Sequence, residues 1–457
     1  MKAADPRHTA LTILMRCEKK TCTLDKSIDI AQNQLESLSR QDRNLCNAIV
    51  FGVLRHREYL DFIIKSFSKK PFANLDIQVL YILRIALFQI LFLDRVPAFA
   101  AINTSIELAK KQTNKGAAGF INAVLRNAEQ NHHTLALPDL NKNLLAHICT
   151  GHSYPGWLIK RWIRVHGGEK TLALCQSINT IPPITLRVNT LKMKRKVLGA
   201  LLETQNFGVA YTNESPDGIH ISSPGKPVTQ IKGFTQGLFQ IQDEAAQLVS
   251  QILDPKPGEI VLDACAGLGG KACHIAQLMN NQGRVIAADL ESHKLDSLGA
   301  ETQRLGIENI RVQQLDLLKA TIKDFDGYFD RVLLDAPCSG LGVMRRNPDT
   351  KWKRTLKDVL RLAAQQKKML NAAANLVKPG GILLYAVCSC EPEENEQVIT
   401  AFLQKRKDYS PDNAMEGISA LSNATLTTGD HYFKTYPDGH IMDGFFAVRL
   451  KRIDKTP

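Results

Sequence analysis

No CxxC pair occurs anywhere in the 457 residues, although the chain holds ten cysteines. Structural zinc sites draw their ligands from such pairs, so no metal is expected. The first residues, MKAADPRHTALTIL, lack the apolar segment of a secretory signal. The expectation is therefore a reduced, cytoplasmic setting without disulfides. Long apolar runs are missing as well. The greasiest stretch, VLYILRIALFQILFL at 79–93, is interrupted by Arg84 and Gln89. It is short for a bilayer span, reads as a buried core helix, and implies no membrane. No internal repeat or low-complexity tract stands out.

What is present points elsewhere. Hydrophobic residues make up 44% of the chain, enough for real cores. The length suits two to four domains. A formal net charge of +13 and a pI near 9.2 favour an acidic partner, nucleic acid first and a membrane surface second.

The texture changes twice along the chain. Residues 1–138 read as an all-helical bundle. Apolar residues recur at three- and four-residue spacing in RHTALTILMRCEK and FAAINTSIELAKKQ, and Ser39 followed by Asp42 offers a helix start resembling a capping box. Residues 139–237 read as a linker with a short helix followed by a small α+β module. In that module PPITLRVNTLK (182–192) has strand character, LGALLETQNFG (198–208) is helical to Gly208, and HISSPGKPVTQIKGF (220–234) is rich in turns. Residues 238–453 alternate strands (259–265, 284–290, 309–316, 329–338, 381–389, 444–452) with helices, the pattern of a doubly wound, mainly parallel α/β sheet.

Ligands of such sheets sit at the carboxyl ends of the strands. Asp263, Asp289, Asp316, Asp335, Cys338 and Cys388 all fall at or just past predicted strand ends. One or two loop acids need no explanation, but six acidic or reactive residues on one edge suggest a shared site.

DACAGLGGKA (263–272) follows the first of these strands and opens a helix. Glycines admit a ligand close to the backbone, and the helix start offers free N–H groups. Gly267-x-Gly269-x-x-Ala272, with Asp289 twenty-two residues past Gly267, satisfies a loose dinucleotide fingerprint. By itself this fits NAD or S-adenosylmethionine. Asp263 before the glycines would repel a pyrophosphate, and Asp316 suits the amino group of an adenine, so the sulfonium cation of S-adenosylmethionine is the better match.

DACAGLGGK, DAPCSG (335–340), RRNPDTKW (345–352), YAVCS, PEEN (392–395) and DGFFAVRL (443–450) occur in that order. Together they resemble the RsmB (Sun, Fmu) family of ribosomal RNA cytosine-5 methyltransferases. VPAFAAINTSIELAKK (96–111) and AGFINAVLRN (118–127) look like the NusB-like RNA-binding domain of that family, and ITLRVNTLK (184–192) is similar to its middle module. The resemblance implies a NusB-like bundle, a small α+β module and a Rossmann-like methyltransferase domain. It also implies S-adenosylmethionine as cofactor, held by Cys265, Ala266, Gly267, Leu268, Gly269, Gly270 and Lys271, with Asp289, Asp316 and Asp335. The substrate implied is small-subunit ribosomal RNA before assembly, met by a monomer. Gly267, Leu268 and Ala272 replace the Ala, Pro and Thr usual in the family's CAAPGGKT loop, and Val387 replaces the Thr of TCS.

In the family motif the proline of PEEN lies four residues after the catalytic cysteine, so Pro392 points to Cys388 and leaves Cys390 incidental. A thiolate adding at carbon 6 of cytosine makes carbon 5 nucleophilic, which divides one hard step into easier ones. Cys388 is expected to be the nucleophile. A helix beginning near Pro392 would lower its pKa through the helix dipole, and the glutamates there would oppose it. Asp335, as a carboxyl holding N3 and the exocyclic amine, is expected to activate the cytosine, and the resemblance implies that Cys338 assists product release. Residues 345–368 carry nine Lys or Arg against two Asp. They are expected to form an RNA track using Arg345, Arg346, Lys353 and Arg354, with Trp352 for stacking. The rival readings are a non-catalytic RNA-binding factor and an NAD-dependent oxidoreductase.

Overall fold

Asp76 starts the apolar helix by accepting hydrogen bonds from the amides of Gln78 and Val79. In this computed structural model, which describes residues 5–113, 115–222, 226–412, 427–428, 431–437 and 442–454, that helix runs Ile77–Phe92 and is buried continuously from Val79 to Gln89. Its polar interruptions have partners. Arg84 forms a two-pronged pair with Asp61 at 2.7 Å, and Gln89 accepts from Arg7 at 2.8 Å. The chain packs as two compact units. The first comprises Met1–Thr180 together with Met344–Arg354, and the second Ile181–Val343 with Thr355–Pro457.

The first unit is helical. Its core is built from Pro6–Cys17, Arg40–Arg55, Arg57–Phe67, Ile77–Phe92, Ala98–Gln112 and Lys115–Asn131. Ser39 caps its helix as expected, accepting from the Asp42 amide and donating to the Asp42 carboxylate. Gly52 allows a close approach, because a Cβ there would lie 1.9 Å from the Phe88 ring. The helices Leu144–Gly151, Gly156–His166 and Gly168–Ile178, expected to go with the α+β module, count with this unit.

The second unit contains two sheets. The smaller has strands β1 (Ile184–Val188), β2 (Gly208–Tyr211), β3 (Gly218–Ser222) and β4 (Phe239–Ile241), in the order β2-β3-β1-β4 and all antiparallel. The helix expected to end at Gly208 spans Arg195–Glu203, and Gly208 begins β2 instead. The larger sheet contains β5 (Ile260–Asp263), β6 (Arg284–Asp289), β7 (Ile310–Gln314), β8 (Phe329–Asp335), β9 (Val377–Val387), β10 (Tyr409–Pro411), β11 (Thr427–Thr428), β12 (Tyr432–Lys434) and β13 (Phe446–Arg452). Its order is β11-β12-β13-β9-β8-β5-β6-β7, with β10 on β13. Strands β5 to β9 pair in parallel and β13 runs antiparallel to β9. The chain crosses over between β5 and β8, where open α/β sheets bind ligands. Among the described residues, no helix is long and apolar enough to cross a membrane.

The two sheets of this unit are tied by buried polar groups. Arg187 of β1 donates to the Gly270 carbonyl at 2.7 Å and to the side-chain oxygen of Gln240 at 2.7 Å. Asn189 donates to the carbonyls of Gly237 and Leu305. Asp217 meets the buried His274 at 3.2 Å. The sequence around Gly270 is thereby held from the small sheet as well as from the large one.

Candidate active site

Asp263, Asp289 and Asp335 each end a strand of the parallel sheet, and Cys388 directly follows β9. Asp316 lies two residues past β7 and accepts from the Leu318 amide at 3.1 Å. The expected edge is thus real, and the register places it: Asp335 pairs with Ala386, two residues before Cys388.

The loop from Ala264 to Gly269 joins β5 to the helix Gly270–Leu278. The Ala266 amide donates to the Ala288 carbonyl, and the Gly267 amide to Asp289 at 2.9 Å. Asp289 also accepts from the Glu291 amide at 3.0 Å. Gly267 and Gly269 are left-handed, with φ of 54° and 86°. A Cβ on Gly269 would press on Leu298 at 2.6 Å, whereas a Cβ on Gly267 would meet nothing within 4 Å. The backbone at Gly267 therefore opens to free space, beside the helix start whose first N–H groups lack intrahelical acceptors. Leu268 is 63% exposed, and Cys265 packs against the core with burial raising its thiol pKa well above the usual value. The departures Ala272 and Val387 are fully buried in apolar contacts.

Asp263 is 1% exposed, and burial together with the Asp335 charge pushes its pKa up to about 7. Neither carboxylate oxygen has a hydrogen bond of normal geometry, although the Cys265 amide lies near enough to favour the charged form. A buried acid left in this condition attracts a cation or a donor. Lys271 supplies one cation. Burial lowers its pKa, but Asp335, 2.6 Å from its Nζ, outweighs that and raises it. The ammonium also lies over the Phe445 ring at 5.4 Å.

The thiols of Cys338 and Cys388 are 3.3 Å apart, though fifty residues separate them in the chain. Cys338 has its pKa raised well above the usual thiol value, first by the hydrogen bond to Cys388 and then by burial. Cys388 is its hydrogen-bonding partner, on the loop after β9. Cys390, two residues on, is buried, and a Cβ on Gly444 would lie 2.5 Å from its sulfur. It fills space against that glycine.

Two expectations are corrected here. The helix after the thiols spans Glu396–Lys405, four residues later than Pro392, because residues 391–394 turn tightly with the Glu394 amide on the Glu391 carbonyl. The basic segment, moreover, is not an open track at its start. Arg345 is buried, with its carbonyl accepting from Arg55 at 3.0 Å. Lys353 donates to the Cys22 carbonyl, and the Trp352 indole N–H to that of Leu54 at 2.7 Å under the Arg57 guanidinium. Arg346 and Arg354 are half-buried, and the exposed cations of the segment are Lys357, Arg361 and Lys368.

Sequence reasoning missed Glu394, which it treated only as a charge opposing the helix dipole. It is fully buried and joins the two thiol loops. Its Oε1 accepts from the Ser339 amide at 2.8 Å and from Gln366 at 3.1 Å, and its Oε2 from the hydroxyls of Ser339 and Ser389, both at 2.5 Å. The signal available was the acid in PEEN, which spacing alone assigns to no partner.

A glycine loop at a helix start, acids closing successive parallel strands, and an antiparallel strand beside β9 define an S-adenosylmethionine-dependent methyltransferase domain. The comparisons narrow the class. The family described as 16S rRNA methyltransferase RsmB/F matches residues 250–451, its ferredoxin-like domain 154–229, and the NusB family 4–130. A probable ribosomal RNA small subunit methyltransferase B of Synechocystis is 35% identical over 98% of this chain and 99% of its own. A probable methyltransferase B of Bacillus subtilis is 36% identical over 99% and 100%. The crystal structure of PH0851 has a TM-score of 0.81 and 26% identity, covering 98% of this chain and 99% of that one. The chain belongs to the RsmB/F methyltransferase family, and its cofactor is S-adenosylmethionine. The oxidoreductase reading is thereby set aside.

The residues fit that cofactor. The open space at Gly267 and the buried acids suit a ligand that is cationic and carries no phosphate. Asp289→Ala removes a carboxylate that also holds the Gly267 amide. Cofactor affinity should fall by about tenfold or more, the scale of a charged hydrogen bond, with RNA affinity nearly unchanged. Calorimetry on both ligands checks this, and equal cofactor affinity in the variant would reject the assignment.

Proposed function

We propose that this chain methylates carbon 5 of a cytosine in 16S ribosomal RNA through a covalent bond between Cys388 and carbon 6. The observation that carries the reading is the pair of thiols 3.3 Å apart, on the loops after β8 and β9. A single nucleophile would explain one thiol; covalent addition followed by release gives work to two.

Cys388 adds to carbon 6 as the thiolate, and the ring electrons move to carbon 5. Lys271, held cationic by Asp335, supplies positive charge beside the base in this reading, and the remaining oxygen of Asp335 accepts from the exocyclic amine. S-adenosylmethionine, when bound, supplies the electrophilic methyl group, held by the 265–271 loop with Asp289, Asp316 and Asp335. Release breaks the C5–H bond, sends that proton to water or to a base beside Cys338, and returns the S–C6 electron pair to Cys388. The base must be out of its stack for this, so the RNA is presented single-stranded or flipped. In this reading the enzyme works as a cytoplasmic monomer on RNA not yet assembled.

Bisulfite sequencing of small-subunit ribosomal RNA, with and without the gene, tests the reading. One cytosine should lose protection in the deletion strain, and purified enzyme should restore it on naked RNA. Methyl transfer to any other atom would overturn the proposal.

A further inference from the structure

Three loops meet at the thiols. The Gly342 amide donates to the Cys388 carbonyl at 3.1 Å, and the Gly444 amide to the Gly342 carbonyl at 2.9 Å. A Cβ on Gly342 would lie 2.0 Å from the Gly444 oxygen, so these strands of backbone touch directly. Among the side chains, Glu394 spans the same junction. It receives two hydrogen bonds from Ser339, next to Cys338, and one from Ser389, next to Cys388. Gln366 braces it from the helix Leu356–Ala374 and also donates to the Pro337 carbonyl at 3.0 Å. The Tyr385 hydroxyl holds the Glu394 carbonyl at 2.6 Å, and Asn395 holds that of Ser389 at 3.1 Å. Each loop is thus tied at the residue beside its thiol to one buried, fully occupied carboxylate.

We propose that Glu394 is a positioning residue that sets the separation of Cys338 and Cys388, and that it governs release of the methylated base more than attack on it. The inference rests on the covalent reading above. Attack needs one sulfur and one carbon. Release needs both loops on the same base, because the S–C6 bond at Cys388 must break as the C5 proton leaves on the side of Cys338. A loosened clamp lets the loops part, which leaves attack possible and slows elimination.

Glu394→Gln tests this. The amide keeps the shape of the side chain but puts a donor where an acceptor stood, so the donors of Ser339, Ser389 and Gln366 cannot all be met. Affinities for S-adenosylmethionine and RNA should stay within about twofold, while turnover falls by about tenfold or more. A protein–RNA band that survives denaturing gels should accumulate although Cys338 is intact, and should vanish in Glu394→Gln/Cys388→Ser. A structural defect alone would lower turnover and both affinities together without building up adduct. Adduct at the wild-type level, whatever the turnover, overturns the proposal. If Glu394→Gln does not fold, Ser389→Ala removes one donor and should give a smaller accumulation; wild-type behaviour in both Ser389→Ala and Ser339→Ala is then the overturning result. Cys338→Ala is the control. No adduct in that control sinks the covalent reading itself, whereas adduct there and none in Glu394→Gln sinks this inference alone.

Discussion

Cys388→Ser is expected to lower methyl transfer by at least about a thousandfold and to form no adduct, because a serine hydroxyl stays protonated and attacks poorly. Cys338→Ala should behave differently. It retains the attacking sulfur and the cofactor loop, so it should bond to carbon 6, methylate carbon 5 and then stall. The observable is a protein–RNA band on a denaturing gel, present in Cys338→Ala and absent in Cys388→Ser. Cys390→Ala should keep turnover within about twofold, since that sulfur packs against Gly444 and is not a member of the Cys338–Cys388 thiol pair. An inactive Cys390→Ala beside an active Cys388→Ser would shift the nucleophile by two residues. The same gel with no adduct in any variant would refute covalent catalysis here.

The stability of the helical unit should rise with pH between about 7 and 10.5, and Lys351 should be the cause. Its ammonium is 1% exposed, faces the carbonyls of Arg55 and Ser153 and the side-chain oxygen of Asn179 at 3.0–3.1 Å, and lies over the Tyr154 ring at 4.1 Å. No carboxylate is among those contacts. Burial, with repulsion from Arg55, pushes its pKa down from 10.5 to about 7. Between those values the unfolded chain binds a proton that the folded chain does not. Stability is therefore lost as pH falls from 10.5 towards 7, at up to about 1.4 kcal/mol per pH unit, and the loss levels off below 7. The full cost at neutral pH is on the order of 4 kcal/mol. Urea midpoints from pH 7 to 10 should rise in the wild type and be flatter in Lys351→Met. Parallel profiles in the two proteins would mean that Lys351 titrates normally.

Much of the catalytic sheet was legible because parallel strands buried on both faces read as apolar runs that end in acids. The strands expected at 259–265, 284–290, 329–338 and 381–389 contain the carboxyl ends of β5, β6, β8 and β9, which stop one to three residues earlier, the first three at Asp263, Asp289 and Asp335. The small sheet was read less completely. Its buried face carries Thr185, Arg187, His220 and Gln240, which meet polar partners of the same unit. Strands β2, β3 and β4 are only three to five residues long, too short for periodicity to reveal them, and so went unseen.

Local sequence alone determined the elements and the order of the reactive groups. It set the glycine turn before Gly270, the Ser39 cap, the core helix Ile77–Phe92 and the acids at the strand ends, because these depend on backbone freedom, short-range hydrogen bonds and periodic burial. Tertiary structure decided which distant groups meet. It brought Cys338 to Cys388 through the pairing of β8 with β9, and it buried Glu394 between their loops. It also drew Lys351, Trp352 and Lys353 into the helical bundle, although their composition suggested a solvated track. Charge and spacing describe what a side chain can offer. Its environment is set by the partner it reaches across the fold, and the same lysine serves a phosphate in water or three carbonyl-type oxygens in a core.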